Sequence, residues 1–331
     1  MDKYIWDWTN GNVDKGFNLY IDVHPACNAD CHFCIAPSVD RRAGDGFWEG
    51  VDFALTFTKS VNGTIQIVGG EPLISKRLPQ LLSGVGRIDS RRTVLNTNGS
   101  FWRNELFSEL SDNGVTHVNV SRHHHNSILN QEIMRIKPEV SDVKLRRDID
   151  LLWSKGISVR LQTNLIPGYI DSFDQINDYL EWFSDMPLAA VSFSQLFPLG
   201  LFDYNVPPVD GYTEQNQIDL EKVVRALDDV FIPVAGPVDT TLHGGGSGTA
   251  WSSVKRRYWL SDRDLLISVK TLSGYYSNGM PRPTQYDKAS DPELQETICF
   301  AVVHADGIVT ASWDKRERVM FVPESVLQFS P

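Results

Sequence analysis

The chain has 331 residues, of which 41% are hydrophobic and 22% charged, enough apolar material to bury a sizeable core. Its formal charge of −11 argues against general nucleic-acid binding. No apolar run reaches the length of a membrane span, and MDKYIWDWTNGN lacks the basic-then-apolar layout of a leader, so a cytoplasmic protein off the membrane is expected.

Strand-like and helix-like stretches then alternate. Residues 16–26 read as a first strand running into a cysteine-bearing loop, and Trp48 to Val61 as a helix. GTIQIVGGEP is a short buried strand ending in glycines, followed by a helix over 78–88 and a strand over 91–100 that closes in a turn. A helix over 105–114 stops at glycine, VTHVNVSR alternates as a strand, and residues 143–156 form an amphipathic helix. A strand over 157–166, a helix over 174–186 and a strand over 189–200 complete six strand–helix units. The pattern predicts an α/β fold, a partial (β/α)6 TIM-like barrel over residues 1–200, with a C-terminal α+β extension over 201–331 packing on it. In that extension residues 220–230 read as a helix, the glycine-rich 238–251 as a loop, and 299–313 as a hairpin about Asp306-Gly307.

Cys27, Cys31 and Cys34 lie in C-N-A-D-C-H-F-C and account for three of the four cysteines. A thiolate group this tight can hold a soft metal centre. An iron–sulfur cube normally takes four protein thiolates, so three would leave one iron free for another ligand. The alternative is a structural zinc site, for which His24 or His32 would have to complete the tetrahedron. A disulfide framework does not suit so long a chain with so few cysteines.

The C-x3-C-x2-C spacing, with Phe33 before the last cysteine, resembles the signature of the radical S-adenosylmethionine (SAM) enzymes. Gly69-Gly70-Glu71-Pro72 follows the second strand, where that family keeps a GGEP segment that bonds the SAM amino group. Asn98, in Thr97-Asn98-Gly99, closes the third strand, Ser121 the fourth, and the fifth offers Arg160, Gln162, Thr163 and Asn164. Phe197 matches the residue that stacks near the adenine. The resemblance covers residues 20–200 and is closest to the branch of the molybdenum-cofactor GTP cyclase, but the second cysteine triplet of that enzyme is missing. It implies one 4Fe-4S cluster held by Cys27, Cys31 and Cys34. It further implies SAM bound by Gly69, Gly70, Glu71, Pro72, Asn98, Ser121, Arg160, Thr163 and Phe197. Reductive cleavage of SAM to a 5′-deoxyadenosyl radical, an external reductant of flavodoxin or ferredoxin type, and a small-molecule or peptide substrate follow from the same resemblance.

Cys299 could return a hydrogen atom to a substrate radical, as an epimerase requires, or be a small buried apolar residue. His123-His124-His125 could serve as acid, base or anion ligand, or form a solvated loop. His243-Gly244-Gly245-Gly246-Ser247-Gly248 lacks the lysine of a phosphate-binding loop and reads as a lid or linker. Arg160 lies in an otherwise apolar strand and calls for an anion, either a ligand carboxylate or an internal salt-bridge partner. The rival of a different class is a zinc- or iron–sulfur-binding protein without catalysis.

Overall fold

Alternating apolar positions fix the inner and outer faces of each strand, and the intervening helices cover one face of the resulting sheet. The computed structural model describes residues 13–34, 43–196, 211–234, 239–244, 249–272, 286–287, 298–311 and 319–327. The first half runs β1 (Val13–Asp22), α1 (Phe47–Ser60), β2 (Thr64–Val68), a 3-10 turn at Pro72–Ile74, α2 (Leu78–Val85), β3 (Arg92–Thr97) and α3 (Asn104–Asp112). It continues with β4 (His117–Ser121), α4 (Ser127–Met134), α5 (Asp142–Ser154), β5 (Ser158–Leu165), α6 (Phe173–Trp182) and β6 (Ala190–Gln195). These are the six expected units, with α4 as an addition. Its cap is Asn126, whose side chain accepts from Ile128 and Leu129 N–H, and Asn126 sits in a polar run that reads locally as loop.

Helix positions follow from caps and stripes. Ser141, Ser172 and Asp219 each accept a backbone N–H in the first turn of α5, α6 and the later helix α8 (Leu220–Val230). In α1 the buried Phe47, Val51, Ala54, Leu55 and Thr58 recur at helical spacing and face the sheet. The sheet presents Leu19, Ile21, Ile65, Ile67, Leu95, Val118, Val159, Leu161 and Val191 to that helical layer, each fully buried.

Past β6 come the short α7 (Tyr212–Gln215), α8, β7 (Asp239–Gly244), β8 (Thr249–Leu260), β9 (Leu265–Leu272), β10 (Tyr286–Asp287), β11 (Ile298–Val303), β12 (Val309–Thr310) and β13 (Val319–Phe321). These strands join the same sheet, whose order is β10-β8-β9-β6-β5-β4-β3-β2-β1-β11-β12-β13, with β7 on β8. β9 pairs parallel to β6 and β11 parallel to β1, so eight successive strands run parallel from β11 to β9. The C-terminal region therefore extends both ends of the partial barrel. The hairpin about Asp306-Gly307 forms between β11 and β12. The glycine-rich stretch is a correction to the loop reading: residues 239–244 and 249–260 pair antiparallel, Asp239 opposite Lys255 and Gly244 opposite Ala250. Glycines dominate the local pattern, but the long β8 offers a partner edge that overrides it. Residues 245–248, the centre of the HGGGSG run, lie outside the described residues. Among the described residues no helix is long and apolar enough to cross a membrane.

Candidate functional site

The loop after β1 carries Cys27, Cys31 and Cys34 at the C-terminal edge of the sheet, with Cys27 exposed and the other two half-buried. Backbone contacts shape it: Cys34 N–H donates to the Cys31 carbonyl at 3.0 Å, and Ala29 N–H points at Cys27 Sγ at 3.4 Å. The Cys27 pKa is raised, and that of Cys31 is pushed up to about 12 by burial and by the neighbouring Cys34 and Cys27. Cys27 and Cys31, whose ionisation is disfavoured in part by neighbouring cysteines, are donors that a cationic metal centre would relieve.

Gly69-Gly70-Glu71-Pro72, at the end of β2, grips this loop. Gly70 N–H donates to the His24 carbonyl at 2.8 Å and Glu71 N–H to the Ala26 carbonyl at 3.0 Å. A Cβ on Gly70 would stand 2.0 Å from the Ala26 carbonyl oxygen, so the approach requires glycine. Gly69, at φ +152°, would meet the His24 carbonyl at 3.0 Å. Glu71 turns the other way. Its buried carboxylate accepts from Leu73 N–H at 3.0 Å, Thr97 Oγ1 at 2.6 Å and Asn98 N–H at 2.7 Å. Burial raises its pKa while these three donors oppose the rise. Glu71 thus ties β2 to the end of β3, and Pro72 opens the 3-10 turn that follows.

The end of β3 holds the loop from another side. Asn98 Nδ2 donates to Asn28 Oδ1 at 2.9 Å, while Asn98 Oδ1 accepts from Ser100 N at 3.0 Å and Ser100 Oγ at 2.6 Å. Asn28 Nδ2 in turn donates to Ser100 Oγ at 2.8 Å and to the Lys137 carbonyl at 2.9 Å. The segment between α4 and α5 adds bonds from Asp30 N–H to the Met134 carbonyl at 3.1 Å and from Lys137 N–H to the Asn28 carbonyl at 3.0 Å. Asn28 and Ser100 escaped the sequence reading. Their positions, inside the cysteine triplet and just past Thr97-Asn98-Gly99, were the available signal.

The two histidines weighed as a fourth ligand have other contacts. His24 Nδ1 accepts from Ala26 N–H at 2.9 Å, and the His32 ring stacks on Tyr212 at 5.4 Å. Among the described residues no three His, Cys, Asp or Glu side chains converge on a single ion.

Past β4, His123 is buried, its ring edge-to-face with Phe33 of the cysteine loop at 4.7 Å. His123 Nδ1 accepts the Asn164 backbone N–H at 2.8 Å, which fixes its proton on Nε2. Burial and the Arg122 charge lower its pKa to about 3, so the ring is neutral. Asn130 Oδ1 accepts from the N–H groups of His123, at 2.8 Å, and His124, at 3.3 Å. The polar run is thus a buried turn with a defined scaffold. Arg122 donates to Asp142 at 2.5 Å and to the His125 carbonyl at 2.9 Å. Thr163 faces the helices, its hydroxyl bound to the Arg122 carbonyl at 2.8 Å. Phe197 lies outside the described residues, as does the side chain of Cys299, whose backbone belongs to β11.

The inner face of the sheet is polar. Asn119 Nδ2 donates to Asn96 Oδ1 at 2.8 Å, and Asn96 Nδ2 to Gln66 Oε1 at 3.1 Å. Arg160 Nε donates to Asn119 Oδ1 at 3.0 Å, which continues the chain from β2 to β5. Ser121 lies opposite Gln162 one layer above Asn119 and Arg160, and Ser192 bonds Ser268 at 3.1 Å in the layer of Gln162.

Residues 21–183 match the family model described as the radical SAM superfamily. A GTP 3′,8-cyclase of Clostridium botulinum (strain Okra / Type B1) is 25% identical over 188 residues, 55% of this chain and 57% of the relative. The chain thus spans little more than half the length of that curated relative. A GTP 3′,8-cyclase of Vibrio atlanticus (strain LGP32) is 23% identical over 239 residues, 69% of this chain and 68% of the relative. In fold, the chain is similar to Streptococcus suis SuiB, solved bound to S-adenosylmethionine: the TM-score is 0.59 at 15% identity, over 89% of this chain and 60% of that one.

Proposed function

We propose, for a chain that belongs to the radical SAM superfamily through residues 21–183, that it is an enzyme using one 4Fe-4S cluster on Cys27, Cys31 and Cys34. Loaded with cluster and SAM, such a site supplies reductive cleavage of the sulfonium C–S bond and a 5′-deoxyadenosyl radical that takes a hydrogen atom from substrate. The observation that carries the reading is the three-sided anchoring of the cysteine loop by the GGEP, Asn98–Ser100 and Met134–Lys137 segments. It holds in place a loop that carries three sulfur donors within eight residues. That donor set suits a cube with one open iron better than a closed zinc tetrahedron.

The remaining roles fall to this chain's own groups. Gly70 and Glu71 N–H are engaged with the loop, so the carbonyl oxygens of Gly69 and Gly70 are the edge that would accept from the SAM amino group. Asn98 and Glu71 would act by positioning that edge and the cysteines. Ser121, on the inner face at the end of β4, would bond the ribose or carboxylate, and Phe197 would stack on the adenine. The packed outer layer and the buried His123 wall would keep water from the radical.

Iron and sulfide content and an ultraviolet–visible spectrum of anaerobically purified protein test the cluster. Release of 5′-deoxyadenosine from SAM under reduction tests the chemistry. One zinc per chain without sulfide overturns the reading. Within it, epimerisation with Cys299 as hydrogen donor predicts that Cys299→Ala still cleaves SAM but no longer inverts a substrate centre; unchanged inversion removes the thiol from the mechanism.

A further inference from the structure

The inner face of the parallel sheet is largely hydrogen-bonding, and among the described residues Arg160 on it has no carboxylate partner. Arg160 is half-buried in β5, and of its five N–H donors one, on Nε, is taken by Asn119. The four Nη hydrogens have no protein acceptor among the described residues. The other arginines whose charge the fold perturbs each have carboxylates nearby: Asp45 and Asp22 for Arg77, Asp142 and Glu139 for Arg122, Asp228 for Arg256. The groups acting on Arg160 are the Arg92 guanidinium, which repels it, and the Tyr20 phenol. His117, one strand over and on the same face, is held neutral by burial and by Arg92 and Arg160, its pKa lowered to about 4. A half-buried guanidinium with no carboxylate beside it is only partly compensated, and a bound anion would compensate it further.

Position separates this charge from the strand ends. Arg160 lies opposite Asn119, two residues before the Ser121–Gln162 pair, so roughly 7 Å deeper along the strand. Asn119 bonds it, the Tyr20 phenol acts on it, and Asn96 and Gln66 continue the row across β3 and β2, neutral side chains suited to hydroxyls, amides or ring nitrogens.

We propose that Arg160 binds an anionic group, phosphate or carboxylate, of a small polar substrate held on the inner face of the sheet below the SAM position. The site's preference for a small polar molecule rests on the radical SAM reading for the placement of SAM; the anion site itself does not. The fork of Arg160 can engage two oxygens at once, and it would orient the substrate with its far end toward the Ser121 layer.

The test is calorimetric titration of the reconstituted, anaerobic protein at low ionic strength with inorganic phosphate and, separately, acetate, each with and without saturating SAM. Stronger phosphate binding assigns a phosphorylated substrate and stronger acetate binding a carboxylate. The wild type is expected to bind one oxyanion per chain, whether or not SAM is present. Arg160→Gln should weaken that binding at least tenfold, and Arg160→Lys less. Should Arg160→Gln unfold, the salt dependence of the wild-type titration and the Arg160→Lys comparison still decide. Equal oxyanion affinity in wild type, Arg160→Gln and Arg160→Lys, or no binding by the wild type, overturns the proposal. Competition between SAM and the oxyanion also overturns it, because Arg160 would then serve the SAM carboxylate. Protein that holds no iron and no SAM yet binds oxyanion through Arg160 defeats the radical reading alone.

Discussion

Replacing Gly70 with alanine should release the cysteine loop without touching any cysteine. The new methyl would lie 2.0 Å from the Ala26 carbonyl oxygen, 2.4 Å from its carbon and 2.8 Å from the Pro25 carbonyl oxygen, all backbone atoms that no rotamer change can move aside. Restoring an ordinary contact requires the loop to withdraw by about 1 Å or more. That displacement breaks the bonds from Gly70 N–H to His24 and from Glu71 N–H to Ala26, now 2.8 and 3.0 Å. Two backbone bonds at about 1 kcal/mol each, with an overpacking cost of about 1–3 kcal/mol, give roughly 3–5 kcal/mol, concentrated on the residues preceding Cys27. Gly84→Ala is the control: its methyl would meet Leu55 Cδ1 at 3.8 Å inside α2, and alanine there should be neutral or stabilising by up to about 1 kcal/mol. Iron bound per chain after anaerobic reconstitution, and its half-life against a chelator, are the readouts, with urea unfolding alongside. Gly70→Ala with wild-type iron content and an unchanged urea midpoint would refute the argument that this glycine shapes the loop.

Glu71→Ala leaves the Leu73 and Asn98 N–H groups buried without an acceptor and should cost about 2–6 kcal/mol in urea unfolding, whereas Glu71→Gln, which can still accept, should lose less. Asn98→Ala removes the link to Asn28 and should shorten the chelator half-life of the iron while lowering stability by about 1–2 kcal/mol. His123 gives a pH dependence of definite sign. Its folded pKa, about 3, lies below the unfolded value of about 6.5, so the unfolded chain binds the proton first as pH falls. Stability should therefore be full above about pH 6.5 and decline below it, by up to about 2 kcal/mol at pH 5. His123→Asn, which can keep an acceptor for the Asn164 N–H, should lack that part of the decline; identical pH profiles for the two proteins would contradict it.

Local pattern carried much of this molecule. Apolar alternation in VTHVNVSR and SVRLQTNL, the caps Ser141 and Ser172, and glycine stops such as Gly114 are properties of neighbouring residues, so the six βα units and their helical layer were legible from the sequence. The cysteine spacing was legible for the same reason, because three thiols on one short loop need no distant partner. Long-range pairing was not. Nothing near Leu265 or Ile298 announces that these strands will run parallel to β6 and β1, and the glycines of residues 244–248 concealed the β7–β8 hairpin. Tertiary structure also decided the direction of each polar group. Glu71 and Thr163 turn into the protein, Gly70 meets the cysteine loop's backbone, and Arg160 lies on the inner face with no carboxylate among the described residues acting on it. Sequence by itself determined which chemistry this chain can carry, because donor type and spacing are local. Only the folded sheet decided which groups hold the loop and which remain open to a ligand, because hydrogen-bond satisfaction depends on residues far apart in the chain.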